Sequence, residues 1–264
     1  MKTLIYQVYV GNRNKLYDFC TESVKAYAKR IGADYHVQRQ PILMIRPDPF
    51  MTNRRGKTGG WEKLGYLPIF EKENAFTYLK SYDSIAIIDS DVYIRQSLND
   101  SIFDEIGNND FAAVLERDLP ITPVHKKKIQ NYSRMQYQSI RNVDWKWKDG
   151  IAAFFNMGIM VINKSIRDKY LNGETPQQFL RRPQFKAFID GVGPWQWSTD
   201  QTLLNVWVKE SGMKAHQLDW KWNALYTAIP DVRLPEAKFI HFYLKDKLPT
   251  AGENIEQLRK IIND

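Results

Sequence analysis

The amino-acid sequence predicts an α/β fold in which helices flank a mixed, mostly parallel central sheet. The chain opens with a strand, a helix and a second strand, which is the usual beginning of a parallel sheet. Its most apolar N-terminal strand, Ser84–Asp89, leads into acidic residues at the edge where such sheets bind ligands. The sequence of 264 residues contains no clear linker. At ~100–200 residues per domain, this length suits one large α/β domain or two small ones. Because no linker divides the chain, we expect a single domain spanning 1–264.

The N-terminal elements follow from residue type and spacing. Leu4–Val10 is rich in β-branched and aromatic residues and ends at Gly11, which predicts a buried strand followed by a turn. Apolar residues then recur at helical spacing as far as Gly32, where a helix would end. Asp34–Gln38 is predicted to be a second short strand. Ligands of such sheets bind beyond the carboxyl ends of the strands.

The middle of the chain holds a long irregular segment before the next helix and strand. Residues 41–60 contain three prolines and three glycines without periodicity, which predicts a long loop. A helix is expected from Trp61 towards Lys80, ahead of the Ser84–Asp89 strand. Further strands are predicted at Phe111–Leu115, Phe154–Ile162 and Phe239–Phe242, and further helices at Lys126–Tyr137 and Thr199–Lys209.

Charge and cysteine content restrict the possible partners and compartments. Lys+Arg 38 against Asp+Glu 30 gives a formal net charge of +8, which favours anionic partners without selecting one. Cys20 is the only cysteine, so an internal disulfide and thiolate metal clusters are excluded. The sequence has no apolar stretch of the ~20 residues that cross a bilayer. We therefore expect a cytoplasmic protein without a membrane anchor.

The triplet Asp89-Ser90-Asp91 is the most informative chemical feature. It follows an apolar strand directly, and residues i and i+2 of a strand face the same side, so both carboxylates can converge on one hard cation. An isolated Asp-x-Asp is more often a pair of acidic turn or cap residues. The accompanying motifs decide between these two interpretations.

Four further motifs place polar or small residues inside apolar strands or at a helix start. Asn156 and Gly158 are disfavoured in a buried strand unless a ligand or a backbone comes close. A histidine such as His241, taken alone, is most simply a core residue. In chain order the motifs are Phe154–Val161 with Asn156 and Gly158, the segment Ser198–Asn205, the pair Trp222-Asn223, and His241 ahead of Lys245 and Lys247.

Together, and in this order, the motifs resemble the glycosyltransferase-A fold, most closely the glycogenin-like and bacterial galactosyltransferase-like members of glycosyltransferase family 8. The resemblance spans nearly the whole chain and ends in a motif that here begins at His241. His241 and Lys247 keep their places in it, whereas Leu244 stands where the family has glycine and Leu248-Pro249 where it has Pro-Trp. The resemblance implies a Rossmann-like nucleotide-sugar-binding half, 1–115, and an acceptor-side half, 116–264.

The same resemblance implies an enzyme that moves a sugar from a nucleotide-diphosphate sugar, with UDP as the nucleotide, to a carbohydrate or other hydroxyl acceptor. Asp89, Asp91 and His241 would hold a divalent cation, and mixed carboxylate and imidazole ligation suits Mn²⁺ better than Mg²⁺. The remaining implied contacts are Tyr9, Gly11 and Asn12 with the base and ribose, Lys63 and Ser90 with the donor, Lys247 with the departing diphosphate, and Asn156, Asp200 and Gln201 with the transferred sugar.

Retention of the anomeric configuration is implied, but its mechanism is open. A double displacement needs a nucleophile, for which Asp200 and Gln201 are the candidates, whereas front-face departure and attack needs none.

Two other functions are considered. A nucleic-acid-binding or metal-dependent nucleic-acid-processing protein is suggested by the +8 charge and 13% aromatic residues. The scattered basic residues argue against it. A carbohydrate-binding or scaffold protein with the same fold and no activity is the second, and the Asp89, Asp91 and His241 set argues against that one.

Overall fold

The computed structural model describes residues 1–54 and 61–263, which form two β-sheets and the helices packed on them. The strands of this part are β1 (Thr3–Val8), β2 (Asp34–Gln38), β3 (Ser84–Ile88), β4 (Val92–Ile94), β5 (Phe111–Leu115), β6 (Phe155–Asn163), β7 (Ala215–Leu218), β8 (Ala224–Leu225) and β9 (Phe239–His241).

The α-helices of the same residues are α1 (Lys15–Arg30), α2 (Trp61–Leu64), α3 (Ile102–Ile106), α4 (Pro123–Tyr137), α5 (Pro176–Leu180), α6 (Lys186–Asp190), α7 (Asp200–Glu210) and α8 (Ile255–Ile262). A long 3-10 helix runs over Pro68–Lys80, and shorter 3-10 or π segments lie at Glu116–Asp118, Arg167–Leu171, Pro183–Phe185, Gly193–Trp197, Trp220–Asn223, Asp231–Glu236, Lys245–Lys247 and Pro249–Gly252. Across the described part of the chain, no helix has the length and apolar character that spanning a membrane requires.

The larger sheet has six strands in the order β2-β1-β3-β6-β5-β7. β1 pairs parallel with β2 and β3, and β5 pairs parallel with β7. β6 runs antiparallel to its neighbours β3 and β5. The predicted α/β class, with a mixed and mostly parallel sheet in a single domain, is confirmed.

Apolar side chains cover both faces of this sheet. In β1, Leu4 and Tyr6 belong to one buried cluster and Ile5 to another, as expected from the two-residue period of a strand. α1 packs on the Ile5 face and the 3-10 helix Pro68–Lys80 on the opposite face. Burial on both faces explains why the central strands are nearly continuous apolar runs in the sequence.

The smaller sheet has the order β4-β9-β8, and only β9 was predicted from the sequence. β4 pairs antiparallel with β9, and Val92 lies opposite His241. Because β4 begins directly after Asp91, this pairing brings the acidic turn beside the histidine. β4 and β8 have three and two residues, which is too short for a periodic pattern to indicate a strand.

The prediction of one helix from Trp61 towards Lys80 is wrong. α2 ends at Leu64, and a separate 3-10 helix begins at Pro68. Between them, Gly65 has a φ of 76°, in the left-handed region that ends helices and favours glycine. Pro68 has no backbone N–H and suits the first position of a new helix.

The loop predicted at 41–60 is held at both of its described ends. The Glu71 carboxylate accepts hydrogen bonds of 2.7–3.0 Å from the backbone N–H groups of residues 42–44. The buried Arg54 guanidinium donates to backbone carbonyls in and after α6. The last part of the predicted loop, 55–60, lies outside the described residues.

Candidate active site

A cavity of about 470 Å³ opens at the edge of the larger sheet where β1 and β3 end. The ends of these strands, the start of β6, the first turn of α7 and the segment after β9 line it. This is the edge at which a parallel α/β sheet binds its ligands.

Two carboxylates and an imidazole converge at one side of the cavity. Asp89, Asp91 and His241 each offer a ligand atom, and these atoms lie within 4.8 Å of one another. His241 Nε2 is 3.2 Å from Asp91 Oδ1 and 3.9 Å from Asp89 Oδ2. The acids do not share a strand face as expected, because β3 ends at Ile88 and a hydrogen bond from the Val92 N–H to the Asp89 carbonyl closes a turn.

Burial and charge perturb the pKa of each member of this cluster. Burial raises the pKa of Asp89. Burial acts in the same direction on Asp91, but the adjacent His241 outweighs it and lowers the pKa of Asp91 overall. Burial alone would lower the pKa of His241, but Asp91 and Asp89 raise it. The His241 imidazole therefore lies next to two negatively charged carboxylates. Two carboxylate oxygens and one imidazole nitrogen form a ligand set that fits a divalent cation such as Mn²⁺.

The start of β6 supplies backbone groups to the cavity. The register between β5 and β6 shifts here, which releases part of β6 from strand pairing. The Met157 carbonyl accepts from Lys72 Nζ at 3.0 Å, and the Met157 N–H donates to Gln201 Oε1 at 3.1 Å. The Gly158 carbonyl accepts from the Asp89 N–H at 2.8 Å.

Position 158 is glycine because the imidazole of His241 lies against it. A Cβ atom on Gly158 would be 2.3 Å from His241 Cε1, closer than side-chain atoms approach one another. The expectation that a ligand or a backbone approaches this glycine is corrected, since the close neighbours are side chains.

Lys72 lines the cavity, and its ammonium lies between two carboxylates. Its Nζ atom is 2.7 Å from Asp200 Oδ2 and 2.9 Å from Asp89 Oδ1. Burial alone would lower the pKa of Lys72, but Asp200 and Asp89 raise it overall. The ammonium therefore stays charged and neutralises part of the acidic cluster.

The side-chain amide of Gln201 is held at both ends. Thr199 caps α7 by accepting from the Gln201 N–H, which directs the first turn of the helix at the cavity. Gln201 Oε1 accepts from Met157, and Nε2 lies 3.4 Å from Glu116 Oε2. Burial raises the pKa of Glu116 to about 7, against hydrogen bonds from Asn156 and Gln201 that lower it.

The residues predicted from the sequence fall into two groups. Those that line the cavity are Tyr9, Asp89, Ser90, Asp91, Asn156, Asp200, Gln201 and His241. Those outside its lining are Gly11, Asn12, Lys63 and Lys247. Lys63 is exposed in α2, and the Lys247 side chain is 60% exposed beside Asp246. The chemical roles of both groups stay predictions.

The sequence analysis did not select Lys72 and Glu116, and it named Asn223 only as part of the pair Trp222-Asn223, without a role. The structure brings all three into the site or directly behind it. Lys72 lies in a charged triplet, Glu71-Lys72-Glu73, inside an otherwise apolar segment, and that contrast was a usable signal. Glu116 follows the apolar strand β5 in the same way that Asp89 follows β3.

Leu244 adopts a backbone conformation that favours glycine, which is the residue of the resembling motif at this position. Its φ is 58°, in the left-handed region, and its side chain lines the cavity. This conformation costs an L-residue other than glycine roughly 1–2 kcal/mol.

Comparisons with known proteins show the fold. No family model matches the sequence, and no curated protein matches it. The galactosyltransferase LgtC, solved in complex with donor and acceptor sugar analogs, aligns with a TM-score of 0.52 at 14% identity, over 98% of this chain and 95% of that one. An active-site mutant of LgtC gives a TM-score of 0.52 at 13% identity, over 97% and 95% of the two chains.

A glycosyltransferase involved in the glycosylation of the major capsid of PBCV-1 aligns over 97% of this chain and 100% of that one, at 14% identity and a TM-score of 0.49. Sequence identities this low show a shared fold and nothing about the activity of this chain. The mixed sheet, the cavity at its carboxyl edge and the alignment with LgtC over nearly the full length of both chains assign this chain to the glycosyltransferase-A fold.

Proposed function

We propose that the protein is a metal-dependent glycosyltransferase that moves a sugar from a nucleotide-diphosphate sugar, with UDP as the nucleotide, to a carbohydrate or other hydroxyl acceptor with retention. The observation that carries the proposal is the convergence of Asp89, Asp91 and His241 with Gln201 in one cavity of this fold. Neither this cavity nor the solved structures favour the nucleic-acid alternative.

A nucleotide diphosphate matches the acidic side of the cavity only with a cation between them, because carboxylates repel phosphates. Asp89, Asp91 and His241 would hold that cation, Mn²⁺ or Mg²⁺, which when bound stabilises the negative charge of the departing diphosphate. Ser90 lies between the two acids and is assigned to the donor.

The base and ribose are assigned to the wall formed after β1. The rings of Tyr9 and Tyr17 lie 5.5 Å apart, edge to face, and both residues line the cavity. They offer an aromatic surface on which a base can stack. Gly11 and Asn12 follow directly and are assigned to the ribose on the resemblance alone.

Lys63, which the resemblance assigns to the donor, does not line the cavity, whereas Lys72 does. Lys72 acts by holding two carboxylates in place, because its ammonium already has three acceptors. Lys247 stays assigned to the departing diphosphate from the resemblance alone.

The transferred sugar would lie against Asp200, Gln201 and Asn156. Gln201 Oε1 is occupied by the Met157 N–H and Asp200 Oδ2 by Lys72, which favours a front-face reaction over a double displacement. The bond from the anomeric carbon to the diphosphate oxygen breaks, and its electron pair stays on that oxygen. The acceptor oxygen bonds to the same face, its proton passes to the departing diphosphate, and the configuration is retained.

Both halves of the chain contribute to this reaction. In the proposal 1–115 binds the nucleotide sugar and 116–264 receives the acceptor, although His241 of the second half completes the cation site. Cys20, the one cysteine of the sequence, is buried and free. A protein without disulfides suits the reducing cytoplasm, which supports a cytoplasmic site of action.

A thermal-shift screen of nucleotide diphosphates and their sugars, with and without Mn²⁺, tests the proposal. A ligand that binds the native state raises the midpoint of unfolding by mass action. We expect Mn²⁺-dependent stabilisation by one nucleotide sugar, and its loss in Asp91→Asn. Asp231→Asn, which changes an exposed acid, is the matched control and should keep the shift.

Two results would reject the proposal. One is the absence of any nucleotide-sugar shift in the presence of Mn²⁺ or Mg²⁺. The other is a salt-sensitive shift with RNA or DNA alone, which would favour the nucleic-acid alternative.

A further inference from the structure

We infer that Asn223 is a positioning residue that fixes His241 in the one neutral tautomer whose Nε2 atom can bind a divalent cation. The inference rests on the cation site of the proposed function but not on sugar transfer. Asn223 is fully buried, and its Oδ1 atom lies 3.1 Å from His241 Nδ1. Two further groups, Asn156 and the backbone of Gly158, determine which way this hydrogen bond runs.

The direction is set by a donor that cannot be reversed, the backbone N–H of Gly158. It donates to Asn156 at 3.0 Å, so the atom of the Asn156 amide at this point must be the oxygen. The Asn223 amide lies 2.8 Å from that same oxygen and must present its NH₂ group there. The oxygen of Asn223 consequently faces the imidazole.

An oxygen at this position requires a proton on His241 Nδ1. When the imidazole is neutral, the proton is therefore missing from Nε2, whose lone pair faces Asp91 Oδ1 at 3.2 Å and Asp89 Oδ2 at 3.9 Å. Three lone pairs then point at one another, which is an arrangement that a cation stabilises.

Asp91 by itself favours the opposite tautomer, because a carboxylate attracts an N–H group at Nε2. That tautomer would leave an unprotonated Nδ1 facing the Asn223 oxygen, or would force the Asn223 oxygen against that of Asn156. Both contacts are buried, where two facing acceptors are not relieved by water. The hydrogen bonds that run from Gly158 through Asn156 and Asn223 thus favour the proton on Nδ1, whereas Asp91 favours it on Nε2.

The ring cannot avoid this choice by moving. Gly158 leaves no room beyond the bare backbone, since even a Cβ atom there would lie 2.7 Å from His241 Nδ1. On another side the ring of Tyr243 lies with its centroid 5.9 Å from that of His241.

Nitrogen NMR of the imidazole in the metal-free protein at alkaline pH reads the tautomer directly, and titration with Mn²⁺ alone reads the site. In the unaltered protein we expect the proton on Nδ1. In Asn223→Ala the carboxylates of Asp91 and Asp89 beside Nε2 remain as partners. The proton should therefore move to Nε2, and the affinity for Mn²⁺ should fall about 10–100-fold.

Asn163→Ala is the matched control, because this asparagine bonds the carbonyls of Gly107 and Asn109 rather than the site. It should leave both readouts unchanged. If Asn223→Ala does not fold, Asn156→Ala removes the fixed oxygen, frees Asn223 to reverse and should give a mixture of tautomers.

An Nε2–H tautomer in the unaltered protein, or an unchanged tautomer in the folded alanine variants, overturns the inference. The expected tautomer and Mn²⁺ binding in a protein that transfers no sugar would instead reject the proposed function and leave the inference standing.

Discussion

The ammonium of Lys72 lies 2.7 Å from the carboxylate of Asp200, at the floor of the cavity. The same ammonium lies 2.9 Å from Asp89. One buried cation therefore connects the turn after β3, on the metal side, with the first turn of α7, on the sugar side. A change at Lys72 must reach both sides of the site.

Lys72→Met is expected to lower the free energy of unfolding by about 3–5 kcal/mol, because it leaves the buried Asp200 and the partly buried Asp89 without their cation. Urea denaturation measures the loss. Lys164→Met is the comparison, since it removes an ion pair with Asp83 whose lysine side chain is 58% exposed, and little change is expected there. Similar losses in both variants would contradict the role given to Lys72.

Asp89→Ala and Asp91→Ala are each expected to raise the activation barrier by roughly 3–4 kcal/mol, which is about 10²–10³ in rate. The reason is the loss of the cation that stabilises the departing diphosphate. Turnover of the nucleotide sugar that the screen identifies gives kcat, and Asp231→Ala provides the control. Unchanged turnover in either variant would remove the cation site from the mechanism.

Gly158→Ala is expected to abolish Mn²⁺ binding while the fold persists, because the added Cβ displaces the His241 imidazole. Calorimetric titration with Mn²⁺ and the circular dichroism spectrum report the two properties. Gly173→Ala separates backbone strain from contact with His241, since Gly173 has a φ of 79° and open space around it. That variant should lose stability and still bind Mn²⁺, and full Mn²⁺ binding by Gly158→Ala would disprove the close packing.

Asp110 makes stability depend on pH. Burial alone would raise its pKa, but hydrogen bonds from Ser165, Lys169 and Tyr170 outweigh burial and lower the pKa to about 2. A carboxyl with a depressed pKa stabilises the fold above its ordinary value of 3.8, and the stabilisation is lost as the pH falls towards 2.

Asp110→Asn should therefore weaken the fold near neutral pH and reduce the change of Tm between about pH 4 and pH 2. Melting curves at stepped pH measure this. Asp231→Asn, at an exposed site, should follow the unaltered protein. A curve for Asp110→Asn parallel to that of the unaltered protein would refute the assignment.

The elements that were predicted correctly are those whose signal is local. β1, β3 and β6 are long apolar runs, and both sides of their strands are buried, so residue type alone indicated them. The break at Gly65 was missed although Gly65 and Pro68 are both visible in the sequence as residues that end one helix and begin another. β4 and β8 exist through their pairing with β9 rather than through any pattern of their own.

The residues of the candidate site also divide into those found from the sequence and those that only the packing reveals. Asp89 and Asp91 were selected because two carboxylates directly after an apolar strand are visible in the sequence. His241 was added to them through the resemblance, since alone it indicates a core residue. Lys63 was named from the resemblance, and Lys72 was not named. The charged triplet marked Lys72 as unusual, but only packing places its ammonium between acids from distant segments.

The sequence by itself determined the α/β class, the edge of the sheet that carries chemistry, and the residue types gathered there. Only the tertiary structure decided that a turn joins the two acids, that Lys72 is the buried cation, and that Asn223 faces His241. Hydrogen-bond direction and burial depend on groups from separate strands and helices, and such neighbours are set by packing rather than by spacing along the chain.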